Sequence, residues 1–264
     1  MSCRTNLSGP VLKDGGAVRA AVDVYLEVAV RQARYVPGVS VFDVGGLRCT
    51  RSDLGGGVWA HALFTSSGAE PGEVVEAARA LGPGPHLVSV VTGDPDGAVA
   101  AYGALGYAPA ESPHALMTTP LNSRPAPPSA GSDFVVCRVA TADELDCYNR
   151  GLARPVSADE AADPSFHLYY VEAGGTPVCR GRAVVVLPPG TAAGGAALCV
   201  SRVDTHPDHR RRGLATAVME RAHADAAGLG ALRSVLVATE VGAALYEKLG
   251  YQVLASVLHF APAN

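Results

Sequence analysis

One eight-residue pattern occurs twice in this chain, and it limits the available folds more than any other feature. Ala100-Ala-Tyr-Gly-Ala-Leu-Gly-Tyr107 and Ala244-Leu-Tyr-Glu-Lys-Leu-Gly-Tyr251 share Ala-x-Tyr-x-x-Leu-Gly-Tyr. Each copy follows an apolar strand-like run and precedes another, so the chain reads as two copies of one fold. Between the copies, Thr119–Asp133 reads TPLNSRPAPPSAGSD. Proline removes backbone donors and favours extended segments, which makes this stretch an exposed linker. The expected organisation is a domain over 1–118, a proline-rich linker over 119–132 and a domain over 133–264.

The second half carries the clearer pattern. Phe134–Val139 reads as a strand, and Thr141-Ala-Asp-Glu144 matches a capping box that opens a helix towards Leu152. His167–Glu172 and Val178–Leu187 read as strands joined at Gly174-Gly175, and a glycine-rich hairpin at Gly190–Gly195 leads to a strand over Ala197–Thr205. Leu214, Val218, Ala222 and Ala226 stand four apart, on one face of a helix from Gly213 to Ala227. Leu232–Ala238, Gly242–Leu249 and Tyr251–Phe260 then read as strand, helix and strand. The first half is a weaker version. Val18, Val22, Leu26 and Ala29 mark a helix; Val39–Val44, Val58–Phe64 and Leu87–Val91 read as strands; Glu73–Leu81 reads as a helix. The fold class is therefore α/β in the mixed α+β sense, each half a twisted mixed sheet flanked by helices.

Composition excludes several functions. Of 264 residues, 48% are hydrophobic and 17% charged, enough apolar material for real cores. The net charge of −4 and the lack of a basic run, apart from Arg210-Arg211-Arg212, argue against nucleic acid as a partner. The six cysteines include no C-x-x-C pair, so zinc ribbons and redox dithiols are not expected. The opening MSCRTNLSGPVLKDGG lacks a signal-peptide core, and no apolar run reaches the roughly 20 residues of a membrane span. A soluble cytoplasmic protein without membrane partners is the expectation; the oligomeric state is not legible.

The chemistry lies in Val203-Asp-Thr-His-Pro-Asp-His-Arg-Arg-Arg-Gly-Leu-Ala-Thr216. A strand ends near Thr205, proline turns the chain, and a loop passes through Gly213 into a helix. That geometry aims unpaired backbone N–H groups and the positive end of the helix dipole at one point, where an anion is stabilised. Arg210-x-x-Gly213-x-Ala215, followed by Leu245-Tyr-Glu-Lys-Leu-Gly-Tyr251, resembles the two signatures of the GNAT superfamily of acyl-CoA-dependent N-acyltransferases. The resemblance covers about Phe134 to Ala261, and two tandem GNAT-like domains are implied.

The resemblance implies that amides from about Arg211 to Thr216 (Arg211, Arg212, Gly213, Leu214, Ala215, Thr216) hold the coenzyme A pyrophosphate. Arg210 and its two arginine neighbours lie beside the phosphates. Val203 and Thr205, flanking Asp204, pair with the pantetheine arm like an added strand. Tyr246 takes the position whose hydroxyl protonates the departing thiolate. Acetyl-CoA is the implied co-substrate, and a small-molecule primary amine, antibiotic-like or derived from an amino acid, the implied acceptor. Thr239 stands where many members carry an asparagine.

Other residues carry less. His206 and His209 are read as loop histidines and Gly55–Gly57 as a plain loop, so no metal is expected. Asp204, Ser201 and Glu172 lie on strands that should border the acceptor site; strand parity does not choose a general base among them, and Asp204 is favoured by proximity. The first half keeps Tyr102 and Gly106, but Trp59–Ala80 has no Arg/Gln-x-x-Gly-x-Gly/Ala turn. It is expected to be a degenerate copy that helps to wall the acceptor cleft. Two other readings stay open: a catalytically silent acyl-CoA sensor or scaffold, and an aminoacyl-tRNA-dependent transferase.

Overall fold

The computed structural model describes residues 15–44, 47–53, 58–65, 69–80, 85–121, 134–186 and 195–263. The chain up to residue 14, the Gly55–Gly57 run, most of the proline-rich linker and most of the Gly190–Gly195 hairpin lie outside these residues. The first half runs α1 (Gly15–Ala33), β1 (Val39–Val44), β2 (Leu47–Asp53), β3 (Val58–Thr65), α2 (Pro71–Ala80), β4 (His86–Thr92), α3 (Pro95–Ala104), β5 (Tyr107–Pro109) and β6 (His114–Pro120). The second runs β7 (Val136–Arg138), α4 (Ala142–Asn149), α5 (Ala158–Ala162), β8 (Phe166–Ala173), β9 (Thr176–Val186) and β10 (Ala196–Thr205). It ends with α6 (Leu214–Gly228), β11 (Ala231–Ala238), α7 (Glu240–Lys248) and β12 (Gln252–Pro262). The sequence reading passed over β2, the polar partner of β1, and the five-residue α5, both too short or too polar to show a period.

The two halves repeat one topology. In each, three antiparallel strands (β1-β2-β3 and β8-β9-β10) lead through a crossover helix (α2 and α6) to a strand that pairs in parallel with the third. The repeated sequence pattern has a structural counterpart. Gly106 and Gly250 hold φ of +81° and +82°, and each follows a helix that ends on leucine. Glycine carries no Cβ penalty in the left-handed region, so Leu-Gly stops the helix and turns the chain into the next strand.

Packing does not follow chain order. One compact unit joins Gly38–Thr118 to Val237–Asn264 and includes the chain up to Val22; the other joins Asp23–Pro37 to Thr119–Leu236. In the first unit, β12 from the end of the chain pairs antiparallel with β4 on one edge and with β5 and β6 on the other. Its Leu258 and Phe260 enter a core with Val74, Val88, Tyr102 and Tyr107, and Tyr102 stacks on Phe260 at 4.5 Å.

In the second unit, α6 packs on β8, β9 and β10. Leu214, Val218, Ala222 and Ala226 are all buried, as their spacing requires, joined by Met219 and His223. A Cβ on Gly181 of β9 would come within 2.6 Å of Val218, so this glycine lets the helix sit close to the sheet. The α4 capping box is complete: Thr141 Oγ1 accepts from the Glu144 N–H, and the Glu144 carboxylate accepts from the Thr141 and Ala140 N–H groups. The helix so anchored packs Cys147 and Tyr148 with Leu168 and Tyr170.

The Ala140 N–H, and then the Thr141 hydroxyl, hold the Glu144 carboxyl below the usual glutamate range. A folded-state pKa lowered in this way contributes stability above the ordinary glutamate value and loses it as pH falls through the lowered value. Glu144→Gln should therefore cost stability at neutral pH and flatten its loss in acid, checked by urea denaturation across pH. Gly250→Ala should cost about 1–2 kcal/mol because φ is positive there. Gly103→Ala, on an exposed helical turn with nothing within 4 Å of the added Cβ, should instead stabilise by about 0.5 kcal/mol. The same denaturation measurement separates the two signs.

Candidate active site

The site grows from an irregularity in β10. Its register with β9 runs Ser201↔Arg182 and then Asp204↔Arg180, so β10 carries one residue more than its partner. Arg202, at φ +52°, is where the extra residue is taken up. Such a bulge bends its strand and increases its twist. On the other edge, β10 pairs in parallel with β11 from Ala196↔Ala231 to Cys199↔Val235, and the pairing stops there although β10 continues to Thr205. Among the described residues, the tail that holds Val203, Asp204 and Thr205 is thus paired on the β9 side alone. Its second edge carries backbone donors and acceptors in the pattern that accepts an extended chain.

The tail leads directly into the turn. His206 N–H donates to the Val178 carbonyl at 2.8 Å, and Pro207–His209 form a short 3-10 turn. Arg210 Nε donates to the Thr205 carbonyl at 3.1 Å, while Arg212 lies 3.1 Å from His209 Nδ1. His206 and His209 are used by the loop itself, as expected of loop histidines. Arg211 at φ +60° and Gly213 at φ +79° are both left-handed, two residues apart. A non-glycine residue there costs on the order of 1 kcal/mol or more, and such strain collects at working sites.

Gly213 then caps α6 without a side-chain hydrogen bond, and the first helical bond runs from Ala217 N–H to the Gly213 carbonyl. The amides of Leu214, Ala215 and Thr216 precede that ladder. A Cβ on Gly213 would meet nothing within 4 Å, so the space above the turn is open to a close approach. Arg210, Arg211 and Arg212 are exposed around it. Clustered amides, a helix N-terminus and three guanidinium groups suit a bound diphosphate.

Beside the bulge lies a cavity of about 260 Å³, lined by α4, α5, β9 and β10 and the loop after α4. Arg180, Arg182, Arg202 and Arg154 lie around it with Tyr148, Glu160 and Asp204. Arg182 is buried and ion-paired with the buried Glu160. Burial first, and then the neighbouring Arg202 and Arg154, push the Arg182 guanidinium down to about 10, against a partial offset from Tyr148. Arg180 donates to the carbonyls of Tyr148 and Arg150.

Of the three residues weighed as general base, only Asp204 lines this cavity. Glu172 accepts from Cys147 Sγ at 3.5 Å, and Ser201 Oγ is buried with no hydrogen-bond partner. The sequence reading missed the arginines that line the cavity. Arg180-x-Arg182 and Arg202-x-Asp204, alternating charges within apolar strands, were the available signal, because period-two spacing sends both members to one face.

Tyr246 lies on α7, half-buried, with its ring edge against Tyr251 at 5.7 Å. It belongs to the compact unit that does not contain the turn, so its functional role rests on the motif. Thr239 serves as the N-cap of α7, its hydroxyl accepting from the Gly242 N–H at 3.2 Å. In the same unit the nitrogens of His114 and His259 and a carboxylate oxygen of Glu111 lie within 4.8 Å of one another. Among the described residues no other His, Cys, Asp and Glu group is spaced to hold a metal ion.

Residues 164–253 match the family model described as Acetyltransferase (GNAT) domain. A search of curated protein sequences finds no match. Among solved structures, the chain resembles a GCN5-related N-acetyltransferase from Kribbella flavida at TM-score 0.62 and 19% identity, over 90% of this chain and 95% of that one. It also resembles a tandem GNAT protein from the clavulanic acid biosynthesis pathway at TM-score 0.57 and 17% identity, over 94% of this chain and 95% of the other. At such identities the likeness is one of fold. Among the described residues no helix is long and apolar enough to cross a membrane. Residues 164–253, which include the bulged strand, the glycine turn and the α7 tyrosine, thus match an acetyltransferase (GNAT) domain, and the chain has the fold of tandem GNAT proteins.

Proposed function

We propose that the chain transfers the acetyl group of acetyl-CoA to a primary amine of a small molecule. The observation that carries this reading is the loss of β10–β11 pairing after Cys199↔Val235, next to a glycine turn with free amides. The fold is one that supports acyl transfer, and the residues present suit this donor. Amides from Arg211 to Thr216 hold the pyrophosphate, with Arg210, Arg211 and Arg212 beside it. The backbone of Val203 and Thr205, flanking Asp204, pairs with the pantetheine arm. The bound thioester supplies an activated acyl carbon.

What the chain adds is proton handling and a fixed geometry. An attacking amine must be neutral, and a lysine-like amine has a pKa of about 10.4, so a base has to take its proton. Asp204, on the strand tail and in the cavity, takes that role directly or through a water. Negative charge that develops on the carbonyl oxygen is stabilised by a strand N–H. Tyr246 gives a proton to the departing thiolate. The cavity volume falls just below the range of ligand sites, about 300–1,000 Å³, and this favours a small acceptor. The first half, whose Trp59–Ala80 sequence has no Arg/Gln-x-x-Gly-x-Gly/Ala element, serves as a supporting copy.

Calorimetry should show one acetyl-CoA site per chain. Gly213→Val, which puts a β-branched residue at φ +79°, should abolish it, and unchanged affinity would remove the turn from the site. Tyr246→Phe should retain acetyl-CoA affinity and lower thiol release by about 100-fold, within the usual range for a lost general acid. A rate within twofold of the parent would remove Tyr246 from the reaction.

A further inference from the structure

We infer that the acceptor amine carries an anionic group, a carboxylate or a phosphate, held by Arg154 and Arg202 in the cavity beside Asp204. The inference rests on the acyl-transfer reading and adds the chemical class of the acceptor. Four guanidinium groups line this one cavity, against two carboxylates. Glu160 is already committed to Arg182, and Arg180 is committed to the carbonyls of Tyr148 and Arg150. Arg154 and Arg202 have no hydrogen bond or ion pair among the described residues, and the buried Nε of Arg182 also lacks a partner.

Arg154 and Arg202 are exposed where they line the cavity and Arg182 is buried in it, so like charges gather around one space and repel. The Arg154 guanidinium is held below the usual arginine range first by partial burial and then by the neighbouring Arg202. A planar oxyanion relieves the repulsion, since guanidinium forks match carboxylate and phosphate geometry. Asp204 lies two residues beyond Arg202 along β10 and lines the same cavity. The wall therefore presents cation and anion side by side. That arrangement suits a zwitterion such as an α-amino acid, with its acidic group on the arginines and its amine next to the carboxylate that takes the proton. Tyr148 and Val156 add an apolar wall for the part between.

The test compares matched acceptors by thiol release with acetyl-CoA. α-Amino acids are set against their amides, and phosphoethanolamine against ethanolamine. The full chain should prefer the anionic member of at least one pair by tenfold or more in kcat/KM. A preference in the first pair identifies a carboxylate and in the second a phosphate. In Arg154→Gln and Arg202→Gln the ratio of anionic to neutral acceptor should fall by about 10- to 100-fold, as expected for lost hydrogen bonds to a charged group. The acetyl-CoA affinity of each variant, measured by calorimetry, shows that the fold persists. Acetyl-CoA binding with ratios near one, or ratios unmoved by both substitutions, overturns the anionic acceptor alone. No acetyl-CoA binding by the parent chain overturns the acyl-transfer reading and this inference with it.

Discussion

The rest of the site depends on one break in backbone hydrogen bonding. Parallel strands normally keep their ladder to the end, because buried N–H and C=O groups without partners are costly. Here β10 and β11 part after Cys199↔Val235, and β10 runs on for six residues with β9 as its paired neighbour. The bulge at Arg202 supplies the cause. One extra residue bends the strand while pairing with β9 resumes at Asp204↔Arg180 and holds it in the sheet. A break of this kind persists where another group completes the hydrogen bonding, and an extended amide-bearing arm does so as an added strand does.

The bulge and the glycine turn act on the same segment from opposite ends. The first opens an edge, and the second collects amides where the strand passes into α6. Arg202 and Arg211 both hold positive φ without being glycine, and Gly213 completes the set. The two arginines, left-handed within ten positions, amount to stored backbone strain, and the packing of α6 on β8, β9 and β10 holds it in place. Gly181 matters for that reason. By letting Val218 approach the sheet, it fixes the helix whose first turn carries the amides of Leu214, Ala215 and Thr216.

Much of this was legible in sequence because its causes are local. The Thr141-x-x-Glu144 box, the four-residue spacing from Leu214 to Ala226 and the Gly174-Gly175 turn each act within a few residues, and each is found as read. The turn itself could be read because glycine at 213 marks a backbone need. The cavity could not be read, since it joins Tyr148 and Arg154 to Arg180 and Arg202 from separate elements. The bulge also left no trace, because arginine at 202 gives no sign of a positive φ. Pairing of β12 with β4 was invisible for a different reason: alternation shows that a segment is a strand and says nothing of which edge it joins.

The repeated motif shows how one local device can be kept while its tyrosine changes employment. Leu105-Gly106 and Leu249-Gly250 end their helices in nearly the same backbone geometry, so both copies keep the stop signal. In the first, Tyr102 is 2% exposed and stacked on Phe260, and burial pushes its hydroxyl up to about 12. A phenol sealed in that way is a core residue and cannot exchange protons with a substrate. Tyr246, at the matching position, is half-buried. Selection for the helix stop accounts for Leu-Gly in both copies. It does not account for one tyrosine being withdrawn into the core and the other left accessible, a difference that follows if the second copy alone retains a use for the hydroxyl.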